Sequence, residues 1–145
     1  MSKPQNTKSI QGKEKSLVKY IPHMQELGME LTEVGGGVAV MELPYQDRLV
    51  GNPDTGVLHG GAVTTLIDSV CGMAVASALD EPCPIATLDL RIDYLRPAAP
   101  GKVLVARADC YKVTKQMAFV HGTAYHDSVD DPVATAAGTF ILLRG

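Results

Sequence analysis

The fold is decided by the run from His59 to Leu79, which reads HGGAVTTLIDSVCGMAVASAL. Between Gly60 and Leu79 the only charged residue is Asp68, so a helix built from this run is apolar on nearly every side and spans roughly 30 Å. Such a helix could cross a membrane, but an aspartate at the bilayer centre costs about 3 kcal/mol. The strand-like runs that follow it require a globular partner. We therefore predict the central core helix of a globular domain.

The sequence after this helix predicts four strands joined by tight turns. In 85–95 (IATLDLRIDYL) apolar residues alternate with polar ones, which is the pattern of a half-buried strand. Three further strand-like runs follow at 102–113, 117–127 and 133–143. The last is almost wholly apolar, as expected of a strand buried on both faces.

The sequence before the helix predicts a short or kinked helix within 16–27, where Pro22 interrupts the periodic spacing. Two strands are predicted within 29–43 around a run of glycines, and turn formers dominate 44–56. Strands joined by tight turns pair in antiparallel fashion, and a single long helix must bury itself against their sheet. The prediction is an α+β fold in which an antiparallel sheet curves around one long central helix.

Charge and cysteine content narrow the class of protein. The formal net charge of −3 argues against nucleic acid as the main partner. The first twenty residues hold five lysines against Glu14 alone, so we expect a flexible basic leader at residues 1–15 before a single domain at 16–145. The leader lacks the apolar segment of a secretory signal. Three cysteines and four histidines without metal-ligand spacing predict no metal site and reduced thiols in the cytoplasm.

Asp68 has two interpretations. It could accept structural hydrogen bonds from Thr64 or Thr65 one turn earlier, or it could be a general base or nucleophile poised by partial burial. The helix start favours the second, because unpaired amides at Gly60 and Gly61 could hold an oxyanion. These amides lie about 10 Å from Asp68 along one helix. We therefore expect a homodimer in which Asp68 of one chain meets the amides of the other.

Three segments carry a family resemblance: GVLHGG at 56–61, LID at 66–68 and TLDLRIDYLRP at 87–97. Together they resemble the hotdog-fold thioesterases of the phenylacetate-degradation (PaaI-like) type, over roughly residues 29–145. The resemblance implies hydrolysis of an aromatic or medium-chain acyl-CoA to the free acid and CoA, with no cofactor besides the CoA of the substrate. It also implies a homodimer or a homotetramer of hotdog dimers, with sites between subunits and no membrane partner.

The resemblance assigns roles to four positions. Asp68 would attack the thioester or activate a water, and Gly60 would supply the oxyanion-hole amide. Thr87 matches a Ser/Thr position that helps hold the water, and Asn52 resembles the asparagine of the preceding loop.

Other positions keep two interpretations. His59 could cap the helix or hydrogen-bond near the thioester, and Gly61 would lie against the substrate. Arg96 and Lys115 are suggested contacts to the CoA nucleotide, although each could be a solvated charge. Cys71 is interpreted as an inert core thiol.

Two other functions stay open at this stage. One is a non-catalytic module that binds acyl-CoA or a fatty acid, which would show saturable binding without turnover. The other is a hotdog enoyl-CoA hydratase, which resembles the thioesterases but pairs a histidine with an aspartate in a different arrangement. The presence of Asp68 favours hydrolysis over the binding module, and the histidine–aspartate arrangement of the hydratases is not found in this sequence.

Overall fold

The computed structural model describes residues 21–144, and the leader predicted at 1–15 lies outside the described residues. Helix α1 is the single turn Pro22–Glu26 and helix α2 spans Gly60–Ala78. The strands are β1 (Glu30–Gly35), β2 (Val38–Leu43), β3 (Val50–Asn52), β4 (Val57–Leu58), β5 (Ile85–Tyr94), β6 (Leu104–Val113), β7 (Met117–Tyr125) and β8 (Ala134–Leu142). Proline at the first position favours the start of α1, because it lacks an N–H that the helix would leave unpaired anyway.

Six of the strands form one antiparallel sheet in the order β1-β2-β6-β7-β8-β5. Helix α2 crosses its concave side and packs mainly against β2, β6 and β7. The remaining strands, β3 and β4, pair with each other just before α2; β3 interrupts the loop predicted at 44–56, and β4 directly follows that loop. The predicted α+β architecture, a curved antiparallel sheet around one central helix, is confirmed.

Helix α2 is enclosed on one side only. Ten of its nineteen residues are buried, and they pack into the core of the sheet. The other side shows partly or fully exposed residues at four-residue intervals, which we call the open stripe: Gly60, Thr64, Asp68, Gly72 and Ala76. Among residues 21–144, only α2 is long and apolar enough to span a membrane, and half of its apolar window is buried inside the domain.

Two predictions about strand burial are wrong. The last strand, β8, alternates between buried residues and more exposed ones, because within residues 21–144 no second layer covers its outward face. Strand β5 is less buried than its pattern suggests: Leu88 and Tyr94 are 59% and 51% exposed. The cause is topological, since β5 is an edge of the sheet and, in the part of the chain that the structure describes, pairs only with β8. The edge strand β5 therefore exposes large apolar side chains to solvent.

Candidate active site

Asp68 and Thr87 are brought together across two elements. Thr87 Oγ1 on β5 donates a hydrogen bond of 2.8 Å to Asp68 Oδ1 in the third turn of α2. The pairing of β5 with β8 shifts between Thr87 and Asp89, which leaves Leu88 without a partner. A bulge of this kind re-aims neighbouring side chains. Asp68 is half-buried and lies on the open stripe, so one carboxylate oxygen is held while the residue stays accessible.

The threonines that precede Asp68 on its own helix do not hold it. Thr64 Oγ1 donates to the carbonyl of Gly60, and Thr65 Oγ1 donates to the carbonyl of Gly61, each at 2.9 Å. The structural interpretation of Asp68, in which one of these threonines supplied the hydrogen bond, is therefore wrong. A threonine in a helix commonly donates its hydroxyl proton to the carbonyl one turn back, and this local bond takes the place of a bond to Asp68.

His59 is the N-cap of α2. Its Nδ1 accepts a 2.8 Å hydrogen bond from the N–H of Gly61, and its backbone is extended, with φ −60° and ψ 134°. The carbonyl of His59 accepts from the N–H of Ala62 at 3.0 Å. Of the two glycine amides in the first turn, that of Gly61 is thus occupied by the cap. The N–H of Gly60 has no acceptor among residues 21–144 and is the one available to a ligand.

Tyr94 is the site residue that sequence reasoning missed. It lies at the end of β5, and its hydroxyl hydrogen-bonds to the Gly60 carbonyl at the start of α2. The sequence offered one signal: a tyrosine at the end of a strand has an apolar ring and a polar tip that usually finds a partner. Nothing in the strand's alternation indicated which partner that would be.

Asn52 forms a turn with residues of its own loop. Its Oδ1 accepts from the N–H of Asp54 at 3.0 Å, and its carbonyl accepts from the N–H of Gly56 at 2.8 Å. The structure therefore gives Asn52 the role of an Asx turn in the connection from β3 to β4. The turn holds the segment that leads into His59, because β4 ends at Leu58.

Arg96 and Lys115 lie at opposite ends of the sheet. Arg96 follows the Tyr94 end of β5, where its Nη2 donates to the carbonyl of Asp131 at 2.9 Å and to that side chain's Oδ2 at 3.3 Å. Lys115 lies in the hairpin between β6 and β7, at the end of the sheet where β5 begins, and is exposed. Within one chain they cannot bind the same phosphate.

An apolar cleft of about 370 Å³ adjoins the helix start. Its lining includes Gly60, Val57, Val63, Tyr94 and Leu95. Its volume falls in the range of small-molecule sites, and its apolar walls suit an acyl group. Ile67 and Val75 of the same helix do not line the cleft, since both are fully buried in the core.

Cys71, one turn beyond Asp68, is a fully buried thiol. Burial, reinforced by the negative charge of Asp68, raises its pKa from 9.0 to about 12. A thiol that stays protonated is a poor nucleophile, which agrees with the interpretation of Cys71 as inert. Within residues 21–144, no cluster of three or more histidine, cysteine, aspartate or glutamate side chains could hold a metal ion.

The site combines a carboxylate held by a hydroxyl, an unpaired amide at the helix start and an apolar cleft. These are the groups that a hydrolase uses to cleave an acyl bond. Comparison with known proteins agrees with that class. The family model of the thioesterase superfamily matches residues 55–132, more than half of the chain. The chain belongs to this superfamily and is a thioester hydrolase of the PaaI-like, hotdog-fold type.

Individual relatives are similar over most of their length. A Halobacterium salinarum protein, described by its name as a candidate esterase, is 33% identical over 81% of this chain and 82% of the relative. The medium/long-chain acyl-CoA thioesterase YigI of Escherichia coli is 28% identical over 86% of this chain and 88% of the relative. The structure of a variant of the phenylacetic acid degradation protein PaaI from Thermus thermophilus superposes with a TM-score of 0.74. It is 26% identical, with coverage of 84% and 99%.

Proposed function

We propose that this protein hydrolyses an aromatic or medium-chain acyl-CoA to the free acid and CoA, with Asp68 as general base or nucleophile. The observation that carries the proposal is the hydrogen bond from Thr87 to Asp68 on the open stripe of α2. YigI is named for medium- and long-chain acyl-CoA and PaaI for phenylacetic acid, which supports these two acyl classes. No cofactor is needed beyond the CoA of the substrate, and three free cysteines suit a cytoplasmic location.

The chemistry follows from the two oxygens of Asp68. Oδ1 accepts from Thr87, so Oδ2 takes a proton from water or attacks the thioester carbon itself. Either route puts negative charge on the carbonyl oxygen, where the unpaired N–H of Gly60 stabilises it. In the base route the tetrahedral centre collapses with cleavage of the carbon–sulfur bond, and Asp68 returns the proton that it took from water to the departing CoA thiolate. In the nucleophile route the same collapse leaves an anhydride between Asp68 and the acyl group. Water hydrolyses this anhydride to the free acid, which restores the Asp68 carboxylate and supplies the proton for CoA.

The arrangement of the site favours sharing between two chains. Asp68 is tied to Thr87 near the start of β5, whereas Gly60 is tied to Tyr94 at its end. These two anchor points lie seven residues apart, roughly 23 Å along an extended strand. If the β5 edges of two chains pair in antiparallel fashion with the two-fold axis between Leu90 and Arg91, Thr87 of one chain lies opposite Tyr94 of the partner subunit. Asp68 then lies near the partner subunit's Gly60.

The β5 edge is suited to that pairing. Among residues 21–144 its backbone groups have no partner on one side, and Leu88, Tyr94 and, directly after the strand, Leu95 are more than half exposed. An exposed strand edge with apolar side chains readily takes up another strand. The same pairing orients the two sheets in opposite directions. The partner subunit's Lys115 therefore approaches the end of the first chain's sheet where Arg96 lies. A homodimer is the smallest assembly that completes the site, and a homotetramer would be a pair of such dimers.

The activity is tested by thiol release from a panel of aromatic and medium-chain acyl-CoAs. We expect wild type to turn over several members, and Asp68→Asn to lose at least about 100-fold in kcat/KM because the amide is neither base nor nucleophile. Asp109→Asn, on the outer face of the sheet, is the control and keeps full activity. Full activity of Asp68→Asn would contradict the mechanism, whereas saturable binding without turnover by wild type would identify a binding module instead.

Sharing of the site is tested by complementation with Gly60→Pro. Proline removes the Gly60 N–H but suits the first position of a helix, and the extended backbone of His59 suits a residue before proline. When Asp68→Asn and Gly60→Pro chains are mixed during refolding, half of the dimers are mixed and each has one intact site. We expect the mixture to recover about a quarter of wild-type activity. No recovery in dimers that do mix would place both groups of a site in one chain.

A further inference from the structure

Two hydroxyls converge on the carbonyl of Gly60. Tyr94 Oη lies 3.0 Å from this oxygen, and Thr64 Oγ1 lies 2.9 Å from it. The two hydroxyl oxygens are 2.6 Å apart. Tyr94 comes from the edge strand and Thr64 from the helix, so the three atoms join the end of β5 to the first turn of α2. We call these two side chains the hydroxyl pair.

The hydroxyl pair has two protons, whereas three short oxygen–oxygen distances connect its hydroxyls and the Gly60 carbonyl. Each hydroxyl donates one proton, and the carbonyl only accepts, so at most two of the three contacts are hydrogen bonds at any moment. Either Tyr94 donates to the carbonyl and Thr64 donates to Tyr94, or the two roles are exchanged. If both donated to the carbonyl, two oxygen lone pairs would face each other at 2.6 Å. In each favourable arrangement only one of the two hydroxyls donates to the carbonyl, and the other can take over that hydrogen bond if the first is lost.

The carbonyl that the pair holds belongs to the residue with the free amide. On one side of Gly60, the peptide plane containing its N–H is fixed because the His59 carbonyl in that plane accepts from Ala62 at 3.0 Å. On the other side, the plane containing its carbonyl is fixed by the first backbone bond of α2, from the Thr64 N–H, together with the hydroxyl pair and the bond from the Gly61 N–H to His59. Glycine lacks the Cβ that would restrict its own dihedral angles. These external bonds therefore set the direction of the Gly60 N–H.

We propose that Tyr94 and Thr64 are redundant positioning residues that hold the Gly60 amide in line for the oxyanion. The inference rests on the proposed role of Gly60 in thioester hydrolysis. It assigns a purpose to an exposed tyrosine and a half-buried threonine that do not line a common cleft. It also makes a specific prediction: loss of either hydroxyl is tolerated, because the other then donates to the carbonyl, and loss of both is not.

The test compares Tyr94→Phe, Thr64→Val and the double variant by steady-state kinetics on the best acyl-CoA. We expect each single variant to keep kcat within about threefold of wild type. The double variant should lose about 30-fold in kcat, part of the 100- to 1,000-fold cost of losing an oxyanion donor, with KM within about twofold. Restoring one hydroxyl as Tyr94→Phe/Thr64→Ser should return activity to the level of Tyr94→Phe. Tyr111→Phe is the matched control, since the Tyr111 hydroxyl has no hydrogen bond within residues 21–144.

Several outcomes would overturn the proposal. They are full activity of the double variant, a loss equal to the product of the single effects, or a rise in KM at constant kcat. A second measurement separates loss of positioning from poor folding of the double variant: in the Gly60→Pro background, where the amide is gone, adding Tyr94→Phe and Thr64→Val together should change kcat no further, and a further fall contradicts the role. Gly60→Pro with full activity would contradict the proposed function of Gly60. Loss in Gly60→Pro without loss in the double variant contradicts the positioning role alone.

Discussion

Thr87 Oγ1 and Asp68 Oδ1 lie 2.8 Å apart although nineteen positions separate the two residues. The bond joins the edge strand to the open side of the helix, at the place where the strand pairing is interrupted. A carboxylate on a helix has many rotamers, and a hydroxyl from a neighbouring strand selects one of them. Thr87 therefore decides where the second oxygen of Asp68 points.

We predict that Thr87→Val lowers kcat about tenfold, because the isosteric valine fills the same space but leaves Asp68 unheld. Thr87→Ser should keep most of the activity, since it keeps the hydroxyl. Thr135→Val, on the outer face of β8, controls for a threonine-to-valine change in the same sheet and should be neutral. Steady-state kinetics of the three variants decide the matter, and equal kcat for valine and serine at position 87 would contradict the prediction.

The cap formed by His59 is predicted to matter for stability independently of chemistry. His59→Ala removes the acceptor for the Gly61 N–H and should cost about 1 kcal/mol in the free energy of unfolding, measured with urea. His59→Asn should recover this loss, because asparagine is a good N-cap. If His59→Asn is stable but inactive, His59 also acts on the substrate. Stability of the alanine variant equal to wild type would show that the cap contributes nothing.

Gly51 is predicted to be intolerant of a side chain for steric reasons. A Cβ at this position would lie 2.8 Å from the Cα of His59, so Gly51→Ala forces the chain before α2 to move and should cost about 1–3 kcal/mol. At Gly60 the nearest atom to an added Cβ is the Tyr94 hydroxyl at 3.7 Å. Gly60→Ala should thus change stability by no more than about 0.5 kcal/mol. Thermal or urea unfolding of both variants compares them directly, and a neutral Gly51→Ala would disprove the close approach.

Cys71 is predicted to make stability fall at high pH. Burial raises its pKa from 9.0 to about 12 in the folded state, so above pH 9 the unfolded thiol ionises first and gives up its proton while the folded one keeps it. The stability that wild type has over Cys71→Ala should therefore shrink by up to about 1.4 kcal/mol per pH unit above pH 9. Urea unfolding of both proteins at pH 8 and pH 10 measures this difference. A difference that stays constant would contradict the buried, protonated thiol.

The candidate site was predictable from the sequence where roles depend on local chemistry. A carboxylate alone in an apolar helix, glycines at the helix start and a histidine before them are all visible in residues 59–68. Asn52 and Lys115 were chosen by resemblance alone, and the structure places one in a turn and the other at the far end of the sheet from Arg96. Tyr94 could not be foreseen, because its partner lies 34 positions away.

The sequence by itself determined the elements, because hydrophobic period and turn residues act over a few neighbours. It therefore predicted the long helix, the strands after it and their antiparallel pairing. Only the tertiary structure decided which strand lies at the edge, which side of α2 stays open, and that Thr87, not Thr64 or Thr65, holds Asp68. The physical reason is that strand order and side-chain partners depend on contacts between distant parts of the chain, which no local pattern encodes.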